Sequence, residues 1–477
     1  MLFNSLHFLL FFPIVTVVFF LLPHKHRWWW LLFASCFFYM FFKPIYILIL
    51  FFTILIDYFA GLWIDNAFGP KRKQYLLYSL IANIGVLAVF KYYNFLNGNI
   101  DGLASLIGFE NPIPYLEILL PVGLSFHTFQ AMSYTIEVYR GNQKAEKHFG
   151  IYSLYVMFYP QLVAGPIERP QNIIHQFYEE KKFEYERVVS GLRLMLWGMF
   201  KKVVIADQLA RVVNLAYDTP NDQNGITWIV VSIFFSIQIY CDFSGYSDIA
   251  IGSARVMGYD LMRNFNIPYI SSNIKDFWQR WHISLSSWFR DYLYIPLGGS
   301  RNGKYKLLRN IFITFIISGL WHGANWTFVV WGSLNGIAII LFTLYSKRVK
   351  FTFPKWISIP FTFGLVTIFW IFFRADSIQE AIHIINSIFT NTLPTIKQYL
   401  NGQPIFLGFG EFNLFFIGIL FLAICLLYIT DFLQSMDNLI SYFKTHSWLR
   451  WSTYIILLYG MLFFGFFGET AFIYFQF

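Results

Sequence analysis

Apolar runs separated by short polar loops make up most of the first part of this chain. These runs cover residues 7–22, 28–42, 45–64, 75–95 and 115–138. A helix needs roughly 20 apolar residues to cross a bilayer, and the lengths of these runs approach or reach that value. The hydrophobic pattern therefore predicts a series of membrane-spanning helices that begins close to the N-terminus.

The pattern continues through the rest of the chain with one interruption. Further spans are predicted at 187–217, 226–243, 307–344, 357–373, 414–429 and 454–467, which makes about a dozen crossings in all. The run at 152–163 is too short to cross and carries Pro160, so we expect it to dip into the membrane and return. The polar stretch at 244–306 is then cytoplasmic or half-buried. Without an internal repeat or a linker, residues 1–477 are predicted to form a single all-α integral membrane domain.

Positive charge distinguishes the two sides of this predicted domain. Lysine and arginine follow the first, third and fifth runs, whereas the loop at 97–114 contains neither. The positive-inside rule places basic loops in the cytoplasm. We therefore expect the N-terminus outside, the loops near Lys71–Lys73 and Lys347–Lys355 in the cytoplasm, and the loop at 97–114 outside.

Residues 275–292 show an amphipathic pattern instead. At about 100° per residue, a single helix here has one aromatic face and one polar face, although Ile283 interrupts the pattern. The polar face contains Gln279, His282, Ser286 and Arg290. We expect Trp281, Trp288 and Phe289 to be buried against the membrane domain, with Arg290 and Gln279 at its cytoplasmic mouth. An interfacial helix of this kind needs no chemistry to explain its histidine.

A second histidine lies near the end of the apolar run IFITFIISGLWHGANW. In a continuous helix Ser318, His322 and Asn325 share one face, and Gly319 and Gly323 beside them allow another helix to approach closely. An ionisable group at membrane depth is costly and normally faces the protein interior or a water-filled cavity. His322 is therefore a functional candidate, the alternative being a structural histidine that bridges helices.

The composition agrees with a membrane protein and excludes several other classes. The chain is 57% hydrophobic and 13% charged, far from the average of soluble domains. Its net charge of +9 is spread in small clusters between apolar runs, which argues against nucleic-acid binding. The three cysteines are isolated, so neither a disulfide framework nor a metal site is expected. The first apolar run lacks a basic flank and a cleavage site, and we expect it to be retained as a span.

A dense polar group that includes Asp242, Ser244 and Asp248 ends the span at 226–243. It is typical of a helix-end cap and turn, and contact with a substrate is the alternative. The sequence contains no nucleophile or nucleotide motif such as GxSxG, HExxH or GxGxxG. An imidazole, whose ordinary pKa is about 6.5, is suited to take a proton from an acceptor hydroxyl near neutral pH.

Several long segments resemble the membrane-bound O-acyltransferase superfamily and, within it, the alginate O-acetylation branch. They are RWHISLSSWFRDYLYIPLGGSRNG, GLWHGANWTFVVWGSLNG, FYPQLVAGPIERP, CDFSGYSDIAIG and the terminal FIYFQF. The resemblance runs roughly from residue 119 to the C-terminus, with its motif core at about 119–345. It implies a polytopic helical bundle with re-entrant and amphipathic helices around a central buried passage.

The same resemblance implies the catalytic residues. His322 matches the catalytic histidine and His282 the second active-site histidine. We expect His322 to be the general base and His282 a positioning or donor-side residue, with the two at opposite ends of the passage. Candidates for lining the passage are Trp281, Arg290, Trp321, Asn325 and Asp242; no metal is expected.

By resemblance, the protein moves an acetyl group from a cytoplasmic thioester, such as acetyl-CoA or an acyl carrier, for O-acetylation of an extracytoplasmic polysaccharide. No bound cofactor is expected, and a separate extracytoplasmic acetyltransferase is the implied partner. The implied location is the bacterial inner membrane, among its lipids. Alternatives are D-alanyl transfer, peptidoglycan or protein acylation on the same fold, or a polysaccharide transporter, although the paired repeats frequent in transporters are not visible.

Overall fold

A computed structural model describes residues 1–117, 121–163, 165–301, 303–349, 353–402, 414–434, 446–468 and 472–473. Throughout these residues the regular secondary structure is helical. The first helices are α1 (Leu6–Leu21), α2 (His24–Met40), α3 (Ile47–Asn66), α4 (Pro70–Leu87), α5 (Tyr93–Leu106), α6 (Leu124–Arg140), α7 (Phe149–Met157), α8 (Tyr159–Leu162) and α9 (Pro170–Ile173). An α-helical protein was predicted, and the fold class is confirmed.

The second part of the chain continues with longer helices. They are α10 (Tyr185–Phe200), α11 (Asp207–Asp218), α12 (Gly225–Val256), α13 (Ile274–Arg280), α14 (Ile283–Phe289), α15 (Lys304–His322), α16 (Trp326–Arg348), α17 (Lys355–Arg374), α18 (Ile378–Leu400), α19 (Leu414–Gln434) and α20 (Ser447–Phe464). Wider π-helical turns occur at Ala88–Tyr92, Lys201–Ala206 and Arg290–Tyr294. The first of them joins α4 to α5, so that one continuous helix runs over Pro70–Leu106.

Five of the described helices are long and apolar enough to cross a membrane. They are Pro44–Asn66, Pro70–Leu106, Gly225–Val256, Trp326–Arg348 and Lys355–Arg374. Several of the other predicted spans are divided into shorter helices, and the number of crossings stays a prediction. The span predicted at 187–217 consists of α10, a π-helical turn and α11, and the run at 152–163 consists of the short, buried helices α7 and α8. Whether α7 and α8 re-enter the membrane stays a prediction.

The span predicted at 307–344 is an antiparallel helical hairpin. Helix α15 ends at His322, and α16 begins at Trp326. A Cβ atom on Gly319 would lie 2.2 Å from the carbonyl oxygen of Phe328, so the two backbones are in direct contact. The close approach predicted for Gly319 is therefore present, and it fixes how the end of α15 is presented to the core.

Buried ion pairs explain how two lysines are accommodated between α10 and α11. The ammonium of Lys202 lies 2.6 Å from a carboxylate oxygen of Asp242 and 2.8 Å from one of Asp207. Lys201 lies 2.7 Å from Asp248. Breaking a buried pair by removing one partner typically costs about 3–5 kcal/mol, so this group ties α11 to α12.

Candidate active site

His322 is the last residue of α15 and lies in an aromatic enclosure. Its side chain is buried, with 4% of the residue exposed. Its ring centroid is 4.9 Å from that of Trp321, 5.1 Å from that of Trp331 and 5.3 Å from that of Phe373. The enclosure is formed by the α15–α16 hairpin and the end of α17, and it keeps the imidazole away from bulk water.

Ser318, His322 and Asn325 were predicted to share one face of a continuous helix, and this prediction is wrong for Asn325. The helix ends at His322, and Gly323 is extended, with φ −156°. Asn325 instead caps α16, since its side-chain oxygen accepts a hydrogen bond from the backbone N–H of Thr327 at 3.0 Å. Its amide nitrogen donates to the carbonyl oxygen of Asp376 at 3.0 Å. Asn325 therefore fixes the turn after His322 and ties it to the end of α17.

The carbonyl end of α15 is held by a lysine from another helix. The Nζ atom of Lys91 donates hydrogen bonds to the carbonyl oxygens of Trp321 and His322, each at 2.8 Å. The hydroxyl of Tyr92 donates to the carbonyl oxygen of Leu320 at 2.6 Å. The last carbonyl groups of a helix lack intrahelical partners, and a cation there also interacts favourably with the helix dipole. Lys91 thus fixes the last turn of α15.

His282 lies at a break in the helix that was predicted to run over 275–292. That prediction is wrong, because α13 ends at Arg280 and α14 begins at Ile283. His282 has a left-handed backbone, with φ 43°, which is uncommon for a residue other than glycine. The interruption noted at Ile283 marks this break. The predicted burial of Trp281, Trp288 and Phe289 is confirmed. Gln279 and Arg290 are exposed, and their place at the cytoplasmic mouth stays a prediction.

A neighbouring loop takes over the backbone hydrogen bonds at the break. The backbone N–H of Ile283 donates to the carbonyl oxygen of Asn264 at 2.8 Å. The hydroxyl of Ser284 donates to the side-chain oxygen of Asn264 at 2.6 Å, and the amide of Asn264 donates to Ser247 on α12 at 3.0 Å. A buried backbone group without a partner is costly, so Asn264 makes the left-handed conformation of His282 possible.

His282 and His322 contact the same tryptophan. The ring centroid of Trp321 lies 6.4 Å from that of His282 and 4.9 Å from that of His322. His282 is enclosed further by Phe243 at 4.5 Å and Phe126 at 6.0 Å. Burial lowers the pKa of His282 to about 3, so its imidazole is neutral at physiological pH. The structure therefore brings the two histidines to one aromatic cluster instead of to opposite ends of a passage.

Trp321 has an unusual polar group within this cluster. The tryptophan is 4% exposed, and its indole N–H is buried without a hydrogen-bond partner among the residues that the structure describes. A buried donor is normally satisfied by protein or water, because leaving it unpaired is costly. The indole N–H groups of Trp228 and Trp370 are in the same state, but that of Trp321 belongs to the residue that contacts both histidines.

Two clefts reach residues close to His322 at the end of α15. The Arg290 cleft has a volume of about 450 Å³ and reaches Ser318, one turn before His322. It is lined by Lys275, Trp278, Gln279, Ser286, Phe289, Arg290, Thr314 and Ser318, among others. The Asn325 cleft, of about 380 Å³, reaches Gly323, which directly follows His322. It is lined by Phe90, Lys91, Gly323, Asn325, Phe373, Arg374 and Asp376, among others. His322 itself lines neither cleft, but the residues that the two clefts reach lie on either side of it in the chain.

The remaining predicted residues have different surroundings. Trp281 packs against Phe265 and Trp370, with ring centroids 5.1 Å away in each case, and lines neither of the two clefts. Asp242 also lines neither of the two clefts. One of its carboxylate oxygens pairs with Lys202, and the other accepts a hydrogen bond from the backbone N–H of Ile473 at 2.8 Å. That contact fixes the described part of the terminal FIYFQF motif; its last residues lie outside the described ones.

Two residues at the site were missed by reasoning from the sequence. Lys91 lies inside the apolar run at 75–95, and a charge at membrane depth is a signal that could have singled it out. Asn264 carries no comparable signal, since an asparagine in a polar stretch is ordinary. Its role depends on a contact between segments that are distant in sequence.

Comparison with known proteins supports the relationship that the motifs indicate. Residues 148–377, which contain both histidines, match the model of the membrane-bound O-acyltransferase family. The chain is 38% identical to the probable alginate O-acetylase AlgI of Pseudomonas putida over 342 residues, which are 70% of this chain and 69% of that protein. It is 38% identical to the corresponding Pseudomonas aeruginosa protein over 349 residues, 72% of this chain and 66% of that protein.

Relatives with other names are similar over comparable lengths. The peptidoglycan O-acetyltransferase of Helicobacter pylori is 35% identical over 373 residues, 72% of this chain and 70% of that protein. The teichoic acid D-alanyltransferase of Bacillus subtilis is 29% identical over 240 residues, 47% of this chain and 60% of that protein. The chain therefore belongs to the membrane-bound O-acyltransferase family, in the branch of the alginate O-acetylases, and is a membrane O-acyltransferase.

Proposed function

We propose that this protein moves an acetyl group from a cytoplasmic thioester to an acceptor on the other side of the membrane, for O-acetylation of an envelope polysaccharide. The observation that carries the proposal is that the Arg290 cleft reaches Ser318 and the Asn325 cleft reaches Gly323, the residues one turn before and directly after His322. A donor and an acceptor that arrive from opposite sides can meet only where two such approaches converge. The names of the relatives support acetyl transfer as the reaction.

The charges at the two ends of the α15–α16 hairpin support this direction. Lys304, Arg309 and Arg348 lie at the end where the Arg290 cleft opens. The other end contacts the segment without lysine or arginine, since the indole N–H of Trp326 donates to the side-chain oxygen of Asn99 at 2.8 Å. By the positive-inside rule, the Arg290 cleft faces the cytoplasm and the Asn325 cleft faces outward.

The chemical step is direct transfer assisted by His322. The neutral imidazole takes the proton of the acceptor hydroxyl while the hydroxyl oxygen attacks the thioester carbonyl. The carbon–sulfur bond breaks, and the thiolate that leaves takes the proton from the imidazolium. The acetyl group then forms an oxygen ester, and His322 returns to its neutral form. Each atom and each charge is accounted for without a covalent enzyme intermediate.

Trp321 and His282 have supporting roles in this proposal. The indole N–H of Trp321 donates a hydrogen bond to the thioester carbonyl oxygen, on which negative charge develops during attack. A preorganised donor in a water-free site stabilises such charge strongly. His282, neutral and enclosed by aromatic rings, positions the donor side of the cluster. Arg290, 63% exposed in its side chain, receives the phosphate groups of the carrier at the mouth of its cleft.

The acceptor in this proposal is a polysaccharide hydroxyl, reached directly or through a separate extracytoplasmic acetyltransferase. Relatives named for alginate and for peptidoglycan acetylation match at 38% and 35% identity, so peptidoglycan is a second acceptor to test. The bacterial inner membrane is the compartment in which cytoplasmic thioesters and envelope polymers are both accessible.

Two measurements test the proposed function. Purified protein in proteoliposomes, supplied with acetyl-CoA labelled in the acetyl group, should release labelled acetyl in a reaction that heat-inactivated protein does not perform. Mass analysis of exopolysaccharide and of peptidoglycan, with and without this gene, should show loss of O-acetyl esters from one of them. Unchanged esters in both polymers, together with no release of label, would contradict the proposal.

A further inference from the structure

A third cleft lies away from the two histidines, between α10, the C-terminal half of α12 and the loop at 261–267. It has a volume of about 640 Å³. We refer to it as the Arg193 cleft. Its walls include Ser190, Arg193, Leu194, Trp197, Lys201, Tyr240, Asp248, Ile251, Arg255, Leu261, Arg263, Phe265 and Ile267. The mechanism above uses none of these residues.

Positive charge dominates this cleft. It is lined by four cationic side chains and one carboxylate. The carboxylate belongs to Asp248 and forms an ion pair with Lys201 at 2.7 Å. Three arginines remain. Arg255 contacts a serine hydroxyl at 3.3 Å, and the guanidinium of Arg193 lies over a tyrosine ring at 5.8 Å. Arg263 has no hydrogen bond or ion pair within the described part of the chain. The cleft therefore presents three guanidinium groups that no carboxylate of the described chain neutralises.

The walls of the cleft are held in place without a ligand. Helices α10 and α12 touch along their backbones: a Cβ atom on Gly198 would lie 2.6 Å from the carbonyl oxygen of Gly245. The loop is fixed on the opposite side, where the backbone N–H of Asn266 donates to the carbonyl oxygen of Arg280 at 2.9 Å. The backbone segments that carry the arginines are therefore fixed relative to one another before a ligand enters.

The lining combines these charges with apolar and aromatic surface. Leu194, Trp197 and Ile251 line the cleft beside Arg193 and Arg255. Arg255 lies in the last turn of α12, which is long enough to cross a membrane, and tryptophan is enriched in the region where lipid headgroups lie. Basic pockets between helices on the cytoplasmic side of membrane proteins bind anionic headgroups. The combination fits a ligand with a phosphate group and an apolar part.

We propose that the Arg193 cleft binds the phosphate group of an anionic ligand, with Arg193, Arg255 and Arg263 as its donors. Guanidinium groups match phosphate oxygens with paired hydrogen bonds, and three of them around one space form a site for such a group. With a lipid headgroup as its ligand, this site goes beyond the proposed function. With the acyl donor as its ligand, it rests on the proposed function and assigns the donor's phosphate to these three arginines in place of Arg290.

Two sources can present this phosphate chemistry. One is the headgroup of an anionic phospholipid. The other is the phosphate end of the acyl donor, because the cleft shares a wall with the aromatic cluster. Phe265 lines the cleft, and its ring centroid lies 5.0 Å from that of Phe243, which contacts His282 at 4.5 Å. The experiment therefore has one arm for each source.

The test compares binding to the purified full chain and to the double variant Arg193→Gln/Arg263→Gln. Both side chains are exposed, so their replacement should leave the fold intact. The probes are phosphatidylglycerol and CoA, with phosphatidylcholine as the lipid control, and bound ligand is counted by native mass spectrometry. The matched control is Arg348→Gln, an exposed arginine at the end of α16. We expect the double variant to weaken binding about 10- to 30-fold.

Each outcome decides the proposal. Binding of phosphatidylglycerol that is lost in the double variant and retained in Arg348→Gln supports the proposal and assigns a lipid headgroup. Binding of CoA with the same dependence supports it and assigns the donor. The proposal is overturned if neither probe binds, if the double variant binds both as wild type does, or if Arg348→Gln weakens binding equally.

Discussion

The Nζ atom of Lys91 lies 2.8 Å from the carbonyl oxygen of His322 and holds the last turn of α15. We expect Lys91→Met to lower the rate of acetyl transfer about 10- to 100-fold, because a shift of about 1 Å in a catalytic group can cost 100-fold in rate. The measurement is kcat with saturating donor in proteoliposomes. Lys355→Met, an exposed lysine at the start of α17, is the control and should act as wild type. A Lys91→Met protein with normal kcat would remove Lys91 from the account.

Trp321→Phe keeps an aromatic ring between the histidines and deletes the indole N–H. If that N–H stabilises the charge on the thioester oxygen, its loss should reduce kcat about 100- to 1,000-fold with little change in the KM for the donor. Trp356→Phe serves as the matched control, since Trp356 is 76% exposed. Near-normal turnover in Trp321→Phe would mean that this tryptophan only packs.

Glu168, in the loop after α8, should make stability depend on pH. Burial raises the pKa of its carboxyl from 4.5 to about 7, so the folded protein binds a proton more tightly than the unfolded chain does. Stability from this group is therefore fully present below pH 4.5 and falls as the pH rises towards 7, by up to about 3 kcal/mol.

Glu168→Gln should flatten that dependence, because glutamine cannot ionise. The measurement is the temperature of unfolding of purified wild-type and variant protein at several pH values between 4.5 and 8. Parallel curves for the two proteins would show that Glu168 does not contribute the pH dependence.

The proposed orientation is tested by labelling single cysteines with a membrane-impermeant maleimide in intact cells. Asp101 lies in the segment without lysine or arginine and Lys73 in the basic loop, and both side chains are exposed. We expect Asp101→Cys to be labelled from outside and Lys73→Cys to be labelled only after the membrane is opened. The reverse pattern would overturn the direction of transfer.

Much of the fold and of the candidate site follows from the sequence, because hydrophobic pattern and local motifs report on helices and on buried polar groups. The apolar runs predict helices, and the isolated His322 in the run IFITFIISGLWHGANW stands out as a candidate. The end of α15 at His322 was not predicted, because a glycine in an apolar run does not by itself show where a helix stops.

The part that could not be predicted depends on contacts between distant segments. The break at His282 exists because Asn264 supplies hydrogen bonds to Ile283 and Ser284, and periodicity contains no information about that partner. In the same way, Asp242 is bound by Lys202 and Ile473, whereas its local sequence indicates a helix-end turn. Lys202, a charge inside the span predicted at 187–217, is accommodated by pairing with Asp207, which the apolar pattern does not show.

The most direct test of the account is the rate of acetyl transfer by His322→Gln at equal amounts of inserted protein. Glutamine keeps the ability to form hydrogen bonds but cannot take a proton at neutral pH. His383→Gln, at an exposed histidine on α18, is the matched control. The account predicts that His322→Gln loses about 100- to 10,000-fold in kcat while His383→Gln is unchanged. Full activity in folded His322→Gln would contradict general-base catalysis by His322.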